Sequence, residues 1–515
     1  MNSNKPFLDC FPGAPLRGRA RMGLKLAVLA GLSALVIFQA WAYFARMQLW
    51  LGPRVVLQPW LIARGFVMYR DIVDLHAPLM PLILSALVPW FRDGILLAQV
   101  AIASLVSVST LLTFEIGRRT VGWIGGLWAA WCFVVWSPTF VFFKLWHESF
   151  LAPIYLLWLF FYNPSGKPRP FAQSLLLGIL GGAAVLIKQH AVVPFTAFVV
   201  WNVITRRHFR SPIPVILRET AWILLGASLP LLVYGVYQTL RAGTLEGFLY
   251  WTIQFNMVSE YKAIASLRPT VAQFGVLASA LLIMPAAILC MFDAKRRGDH
   301  DWLNFGLLIL LLVTGSVTAY PRFEFYHLQP VLSMIALTSA MTFAYVLRRT
   351  NEGRFFAAGV AIALTCFWFV TAGYEYRPVI RPEWNRPVWD YSALKPLADD
   401  IQKSIPANQR LFIFPDSEVY SNLYYLMRAE PPRYWVLHYP WYAVDRVRIR
   451  ILGALKDSPP DWIIRFPDRY GFVDRAPDID RFIQNHYRWE IRVPWTAGDV
   501  MLLKRIVSPD AGGNQ

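Results

Sequence analysis

The sequence predicts a mainly α, polytopic transmembrane helical protein with about 11 spans, followed by a small α/β domain outside the membrane. Three observations lead there. Of the 515 residues, 56% are hydrophobic and 15% aromatic, and the mean hydropathy is +0.41, far above the range of soluble domains. Uncharged apolar runs of span length recur between residues 26 and 374. Beyond Tyr374 they stop, and prolines at 378, 382, 387 and 396 lead into a segment of alternating polarity.

The first run, 26–45, follows Arg17, Arg19, Arg21 and Lys25 and shows no small-residue cleavage site, so it reads as a retained span with its N-terminus in the cytoplasm. Further runs lie at 94–114, 120–143, 149–166, 171–187, 191–205, 220–240, 269–292, 302–320, 328–347 and 355–374. Residues 79–91 (LMPLILSALVPWF) are apolar but only 13 long and contain Pro81 and Pro89. If they do not cross, the N-terminus and the loops around Arg118, Lys167/Arg169, Arg206–Arg218, Lys295–Arg297 and Arg348–Arg354 share one side with 19 basic residues, against 11 opposite. The positive-inside rule favours that arrangement. It sends the loops 46–92, 144–148, 188–190, 241–268 and 321–327 to the outer face.

Two domains are expected, 1–374 in the membrane, with 46–92 as its first outer loop, and 375–515 as an extracytoplasmic α/β domain. In the second, RLFIF (410–414), DWIIRF (461–466), RWEIRV (488–493) and VMLLKR (500–505) read as strands. Between them SEVYSNLYYLM (417–427), YAVDRVRIRILGAL (442–455) and DIDRFIQNHY (478–487) have helical spacing. The net charge of +18 does not point to nucleic acid: residues 375–515 carry 20 Lys/Arg against 18 Asp/Glu, leaving 30 against 14 for the membrane part, where basic loops orient spans. Four scattered cysteines form neither a disulfide framework nor a zinc motif.

The candidate chemistry lies in the outer loops. In YRDIVDLHAPLMP, Asp71, Asp74 and His76 stand beside the membrane, where ionisable groups tend to face a wet cavity and carry function. A carboxylate there suits deprotonating an acceptor hydroxyl or ligating a cation; the alternative is that Asp71 pairs with Arg70 or Arg64 and Asp74 caps the helix near Pro78. In KLWHES, His147 and Glu148 suit a metal or a proton, unless Glu148 only caps the next span and Lys144 snorkels. Lys188 and His190 interrupt two apolar halves, where a lysine and helix ends attract phosphate. AYPRFEFYHLQP adds Arg322, suited to bidentate phosphate recognition, with Tyr326 and His327. Glu260 and Lys262 are too generic to assign. No Gly-rich phosphate loop, Walker lysine, zinc signature or nucleophile elbow is present. A wet outer cavity of carboxylates, histidines and cations suits a lipid-linked phosphate.

Four passages resemble the GT-C superfamily of integral membrane glycosyltransferases, in the branch of aminoarabinose transferases and protein O-mannosyltransferases. GFVMYRDIVDLHAPL is similar to that family's G-x-x-x-Y-x-D followed by His-Pro-Pro-Leu, and HESFLAPIYLLW to its second acidic loop. GILGGAAVLIKQHAVV is similar to its glycine-rich span ending in lysine, and PRFEFYHLQPVL to its late Arg…His-Tyr segment. The resemblance implies a GT-C-like fold in a bacterial plasma membrane. It also implies a sugar donor linked through phosphate to a polyprenol, and transfer with inversion to a lipid, glycan or protein acceptor on the outer face. Carried over, Asp71 or Asp74 is the general base, with Glu148 in support. Lys188, Arg322 and His327 hold the phosphate, His76, His190 and Tyr326 contribute to binding, and His147 with Glu148 is the place for the divalent metal ion that some members use. Two departures stand out: no acid lies between Arg46 and Asp71, where many relatives carry theirs, and His-Pro-Pro reads His76-Ala77-Pro78. The competing reading is a glycolipid or lipid-phosphate transporter without transfer activity, for which the internal repeats of transporters are missing.

Overall fold

A computed structural model describes residues 18–46, 52–91, 93–141, 144–164, 167–257, 267–320, 322–349, most of 363–376, and, beyond, 391–406, 409–416, 420–436, 444–468, 471, 473–495 and 498–506. Glu260, Lys262 and most of the expected span 355–374 lie outside the described residues. The helices up to residue 237 are α1 (Gly18–Arg46), α2 (Leu57–Ala63), α3 (Leu79–Leu87), α4 (Gly94–Val121), α5 (Trp123–Val141), α6 (His147–Phe161), α7 (Phe171–Ile187), α8 (Val192–His208) and α9 (Ile213–Tyr237). The strands are β1 (Ile72–Val73), β2 (Leu411–Phe414), β3 (Trp435–Val436), β4 (Trp462–Arg465), β5 (Tyr487–Val493) and β6 (Val500–Arg505). The chain forms two compact units: 1–47, 99–234 and 266–386 make the first, and 48–98, 235–265 and 387–515 the second. The expected first outer loop and part of the loop 241–268 thus group with the C-terminal segment.

Among the described residues seven helices are long and apolar enough to cross a bilayer, including Ala20–Phe44, Gly94–Val121, Ile213–Leu240 and Phe325–Arg348. The chain is an integral membrane protein. In the first unit α5 and the helix Gln329–Arg349 pack together and are covered on all sides, 78% and 89% of their spans being buried, as expected of helices apolar all round. α9 is covered over only 22% and exposes Leu217, Leu224, Leu232 and Val233, a face made for acyl chains. α7 and α9 meet backbone to backbone. A Cβ on Gly178 would sit 2.0 Å from the Ile223 carbonyl oxygen, and one on Gly226 2.2 Å from that of Leu175, so glycine here permits a close crossing that no larger residue allows.

In the second unit α3 has nine residues, about 14 Å, less than half the hydrocarbon thickness. The C-terminal sheet has the order β2-β4-β6-β5; β2 and β4 run parallel, and β6 is antiparallel to both its neighbours. A parallel pair needs a crossover, and the helix Asp445–Asp457 precedes β4, burying Val447, Ile451 and Leu455. All four expected strands are present, with helices Asn422–Leu426, Asp445–Asp457 and Pro477–His486 inside the expected windows or within a few residues of them. A separate parallel pair joins β1 to β3, with Ile72 opposite Trp435 and Val73 opposite Val436. This pairing ties the loop that carries Asp71 to a partner more than 360 residues away.

Candidate active site

Each unit gathers its own set of ionisable residues. In the second, the loop from α2 to α3 is built around Asp74, which is 1% exposed. Its Oδ2 accepts hydrogen bonds from Arg54 Nε at 2.8 Å and Gln58 Nε2 at 2.9 Å. Its Oδ1 accepts from the His76 amide at 3.0 Å and lies 2.9 Å from His76 Nδ1. Burial works against this charge, yet Arg54 and His76 hold the carboxyl well below the usual carboxylate range. Asp74 does not cap α3; Pro78 stands at that position without a side-chain bond. The backbone at Tyr69 is left-handed (φ 67°), and Tyr69 donates its hydroxyl to the His76 carbonyl at 2.8 Å, closing the loop over its own chain.

Asp71 is 5% exposed. It accepts from the Val67 amide at 2.9 Å, from Arg70 at 3.0 and 3.1 Å, and from Arg433 Nη1 at 2.7 Å, while its carbonyl takes the Trp435 amide at 2.8 Å. Burial opposes its charge as well, and Arg70, the Val67 amide and Arg433 more than offset that, leaving the pKa lowered. Arg64 pairs with Glu430 at 2.8 Å, not with Asp71. Both aspartates therefore serve as multiply bonded anchors of the loop. A general base works best with a pKa near the operating pH, and Asp74 is far from that. The Asp74–His76 pair, however, fixes an imidazole through Nδ1, the arrangement by which a carboxylate orients a histidine base.

In the first unit the structure brings Glu148, Lys188 and His327 together from the start of α6, the end of α7 and the turn before Gln329–Arg349. They are 0%, 3% and 7% exposed. Lys188 Nζ donates to Glu148 Oε1 and to the Thr318 carbonyl at 3.4 Å, and lies 3.1 Å from His327 Nδ1. His327 Nδ1 is also within hydrogen-bond distance of the same Glu148 oxygen. Nδ1 cannot serve both: with a proton it donates to Glu148, without one it accepts from Lys188. Glu148 Oε2 is buried and has no hydrogen-bond partner among the described residues. Locally, Lys188 ends α7 in an extended conformation (φ −151°), and the Thr318 hydroxyl lies 2.5 Å from the His327 carbonyl. Ser149 accepts from the Trp146 amide at 3.2 Å and reaches Gln329 Oε1 at 3.1 Å, docking the start of α6.

The other expected residues lie around this core or apart from it. His190 is half-buried in the turn Gln189–Ala191. Tyr326 is buried, with the Lys144 ammonium 4.6 Å from its ring centroid and the Trp146 ring at 5.6 Å. Arg322 is 41% exposed, paired with Glu324 at 3.6 Å and not with Glu148. His147 is buried beside the Trp146 ring, 5.9 Å between centroids.

An apo structure of ArnT from Cupriavidus metallidurans matches with a TM-score of 0.55 at 13% identity, over 94% of this chain and 98% of that one. ArnT from the same organism bound to undecaprenyl phosphate gives 0.54 at 11% identity, over 96% and 99%. This chain shares its fold with ArnT. The Archaeoglobus fulgidus oligosaccharyltransferase tethered with an acceptor peptide containing the NVT sequon gives 0.50 at 13%, over 91% of this chain and 74% of that one. No protein-family model and no curated protein sequence matches. The resemblance to the GT-C aminoarabinose transferases thus holds at the level of the ArnT fold.

A divalent metal does not fit the residues expected to hold one. Among the described residues no group of three or more His, Cys, Asp or Glu side chains could hold a metal ion, and Glu148 already faces the Lys188 ammonium, which repels a second cation. Sequence reasoning also missed the partners that fix these side chains. Thr318 and Gln58 carry no chemical signal, Arg54 lies 20 residues from Asp74, and Arg433 belongs to the C-terminal segment.

Proposed function

We propose that this chain is a membrane glycosyltransferase that moves a sugar from a polyprenyl-phosphate-linked donor to an acceptor at the outer face of the membrane. The observation that carries the reading is the buried Glu148–Lys188–His327 cluster, because ionisable groups inside the membrane part of a protein are costly and mark function. The shared fold supports the class of donor; ArnT binds undecaprenyl phosphate, the kind of group that such a donor releases. The orientation expected from the basic loops, with the N-terminus cytoplasmic and the C-terminal α/β segment outside, places the reaction on the exoplasmic side of a bacterial plasma membrane.

The acceptor oxygen attacks the anomeric carbon as the bond from that carbon to the phosphate oxygen breaks. The bonding pair leaves with polyprenyl phosphate, and the configuration inverts. Within the second unit His76 Nε2 is suited to take an acceptor proton, with Asp74, bonded to Nδ1, orienting the ring and stabilising the imidazolium. Asp71 holds the loop and is the lesser candidate for base. Within the first unit the half-exposed Arg322 is suited to bind a phosphate group. When His327 carries a proton it competes with Lys188 for Glu148 and the cluster has a net positive charge, which suits an anion. Tyr326 and His190 complete the binding surface of the helical unit. No step is assigned to a metal.

The test is kinetic, with purified protein in liposomes and a panel of polyprenyl-phosphate sugars. His76→Gln is expected to lower kcat about 100-fold with little change in KM for the donor, as for loss of a general base; Arg322→Ala is expected to raise that KM. A wild-type protein that leaves every donor intact yet moves glycolipid between leaflets would replace this reading with the transporter.

A further inference from the structure

The end of α7 opposite Lys188 carries a second buried ionic cluster that the transfer reading does not use. α7 has 17 residues, about 25 Å, so the two clusters are separate sites. Arg169 precedes α7, Arg206 lies in the last turn of α8, and Glu219 is in α9; they are 7%, 1% and 2% exposed. Glu219 Oε1 accepts from the Arg169 backbone amide at 2.6 Å, and Oε2 from Arg206 Nε at 2.9 Å. Arg206 Nη1 donates to the Lys167 carbonyl at 2.6 Å, and Arg169 Nη1 to Asn202 Oδ1 at 2.6 Å. Both oxygens of the carboxylate are thus engaged, one by the Arg206 guanidinium and one by the Arg169 backbone amide, while the Arg169 guanidinium bonds only the neutral Asn202.

Arg169 Nε and Nη2, the two donors that form one edge of the guanidinium fork, are buried and have no hydrogen-bond partner among the described residues. A buried cation with two idle donors and no carboxylate bonded to its guanidinium is a costly arrangement in a protein. The glycine contacts of α7 with α9 leave the backbones no room to shift, which fixes this end of the pair. Burial, with the charge of Arg206 added, lowers the pKa of Arg169 to about 10, the Glu219 charge opposing the shift only in part. Phe171, Ile213 and Leu217 are exposed at the same end, so a lipid lying against α7 and α9 has its headgroup within reach of this level.

We propose that Arg169, with Arg206 as the second charge, forms a binding site for a phosphate oxyanion, taken bidentately on the Nε–Nη2 edge. A planar guanidinium edge matches two oxygens of a phosphate, and one phosphate charge balances the excess of one cation. The phosphate is either that of an anionic lipid headgroup or a free ion.

The experiment uses the full chain in a neutral detergent. One arm titrates inorganic phosphate against chloride at fixed ionic strength and follows thermal stability; the other follows retention of phosphatidic acid by native mass spectrometry. Wild type is expected to bind one equivalent saturably in at least one arm, and the arm identifies the source. Arg169→Lys, which keeps the charge and loses the bidentate edge, is expected to bind roughly tenfold more weakly or worse. Should that variant fail to fold, Asn202→Asp supplies a second carboxylate beside Arg169 and is expected to abolish binding while raising stability. Absence of saturable binding to wild type in both arms overturns the proposal, as does wild-type affinity in whichever of the two variants folds.

Discussion

Replacing Glu148 by Gln should destabilise the helical unit severely. Lys188 is 3% exposed; the glutamine amide oxygen can still accept from its ammonium, beside the Thr318 carbonyl and His327 Nδ1, but the buried cation loses its counter-charge. Removing one member of a buried ion pair costs about 3–5 kcal/mol, a large share of a total stability of roughly 5–15 kcal/mol. Lys188→Met should cost at least as much, because Glu148 is fully buried and one of its oxygens already has no partner. The double variant Glu148→Gln/Lys188→Met removes both charges and should recover most of the loss, a coupling of about 3 kcal/mol or more. Unfolding by SDS titration in mixed micelles measures all three. A Glu148→Gln protein within about 1 kcal/mol of wild type, with additive single variants, would refute the reading of these residues as one charge-compensated cluster.

Gly178→Ala places a methyl 2.0 Å from the Ile223 carbonyl oxygen and should cost about 3 kcal/mol, the upper part of the overpacking range, because backbone cannot yield as a side chain does; the same titration checks it. Arg54→Ala, which strands the buried Asp74, should destabilise the loop 52–78 by about 3–5 kcal/mol, whereas Arg433→Ala removes a half-exposed partner from Asp71 and should cost about 1 kcal/mol; limited proteolysis of the loop ranks the two. Asp74 and Asp71 have folded-state pKa values below their unfolded ones, so the stability they contribute is present above the ordinary carboxylate pKa of about 3.9 and is lost only as pH falls through the lower folded values. The Val67 and His76 amides, bonded to these carboxylates, should therefore stay protected from hydrogen exchange at pH 5, after correction for the intrinsic rate, and Asp71→Asn should expose Val67 at every pH.

Much of this was legible because the membrane writes its constraints into the chain. Long uncharged runs could only be helices, and the tail gave itself away by strands such as LFIF and WIIR, whose periodicity changes at the prolines. Glu148, Lys188 and His327 stood out one by one because each interrupts apolar sequence, and the structure joins them. The role of the loop acids was not legible. Asp71 and Asp74 carried the signature of chemistry beside a membrane, but nothing local announced that Arg433, 362 residues on, would bind one, or that Arg54, Gln58 and His76 would saturate the other. The division into units was hidden for the same reason, since β1 has only two residues and its partner strand is β3. Arg169 read as one more orienting charge in a basic loop, and only its burial against Glu219 and Asn202 sets it apart.

The most direct measurement supplies purified protein with a polyprenyl-phosphate sugar labelled with carbon-13 at the anomeric position, together with a membrane extract as the source of acceptor. The resonance is then followed by NMR as free polyprenyl phosphate accumulates. The account predicts that the label leaves the donor and reappears in a glycoside of opposite anomeric configuration, and that Lys188→Met or His76→Gln slows this strongly. Retention of configuration would contradict direct displacement with a histidine base, and a donor signal that never changes would contradict the transferase itself.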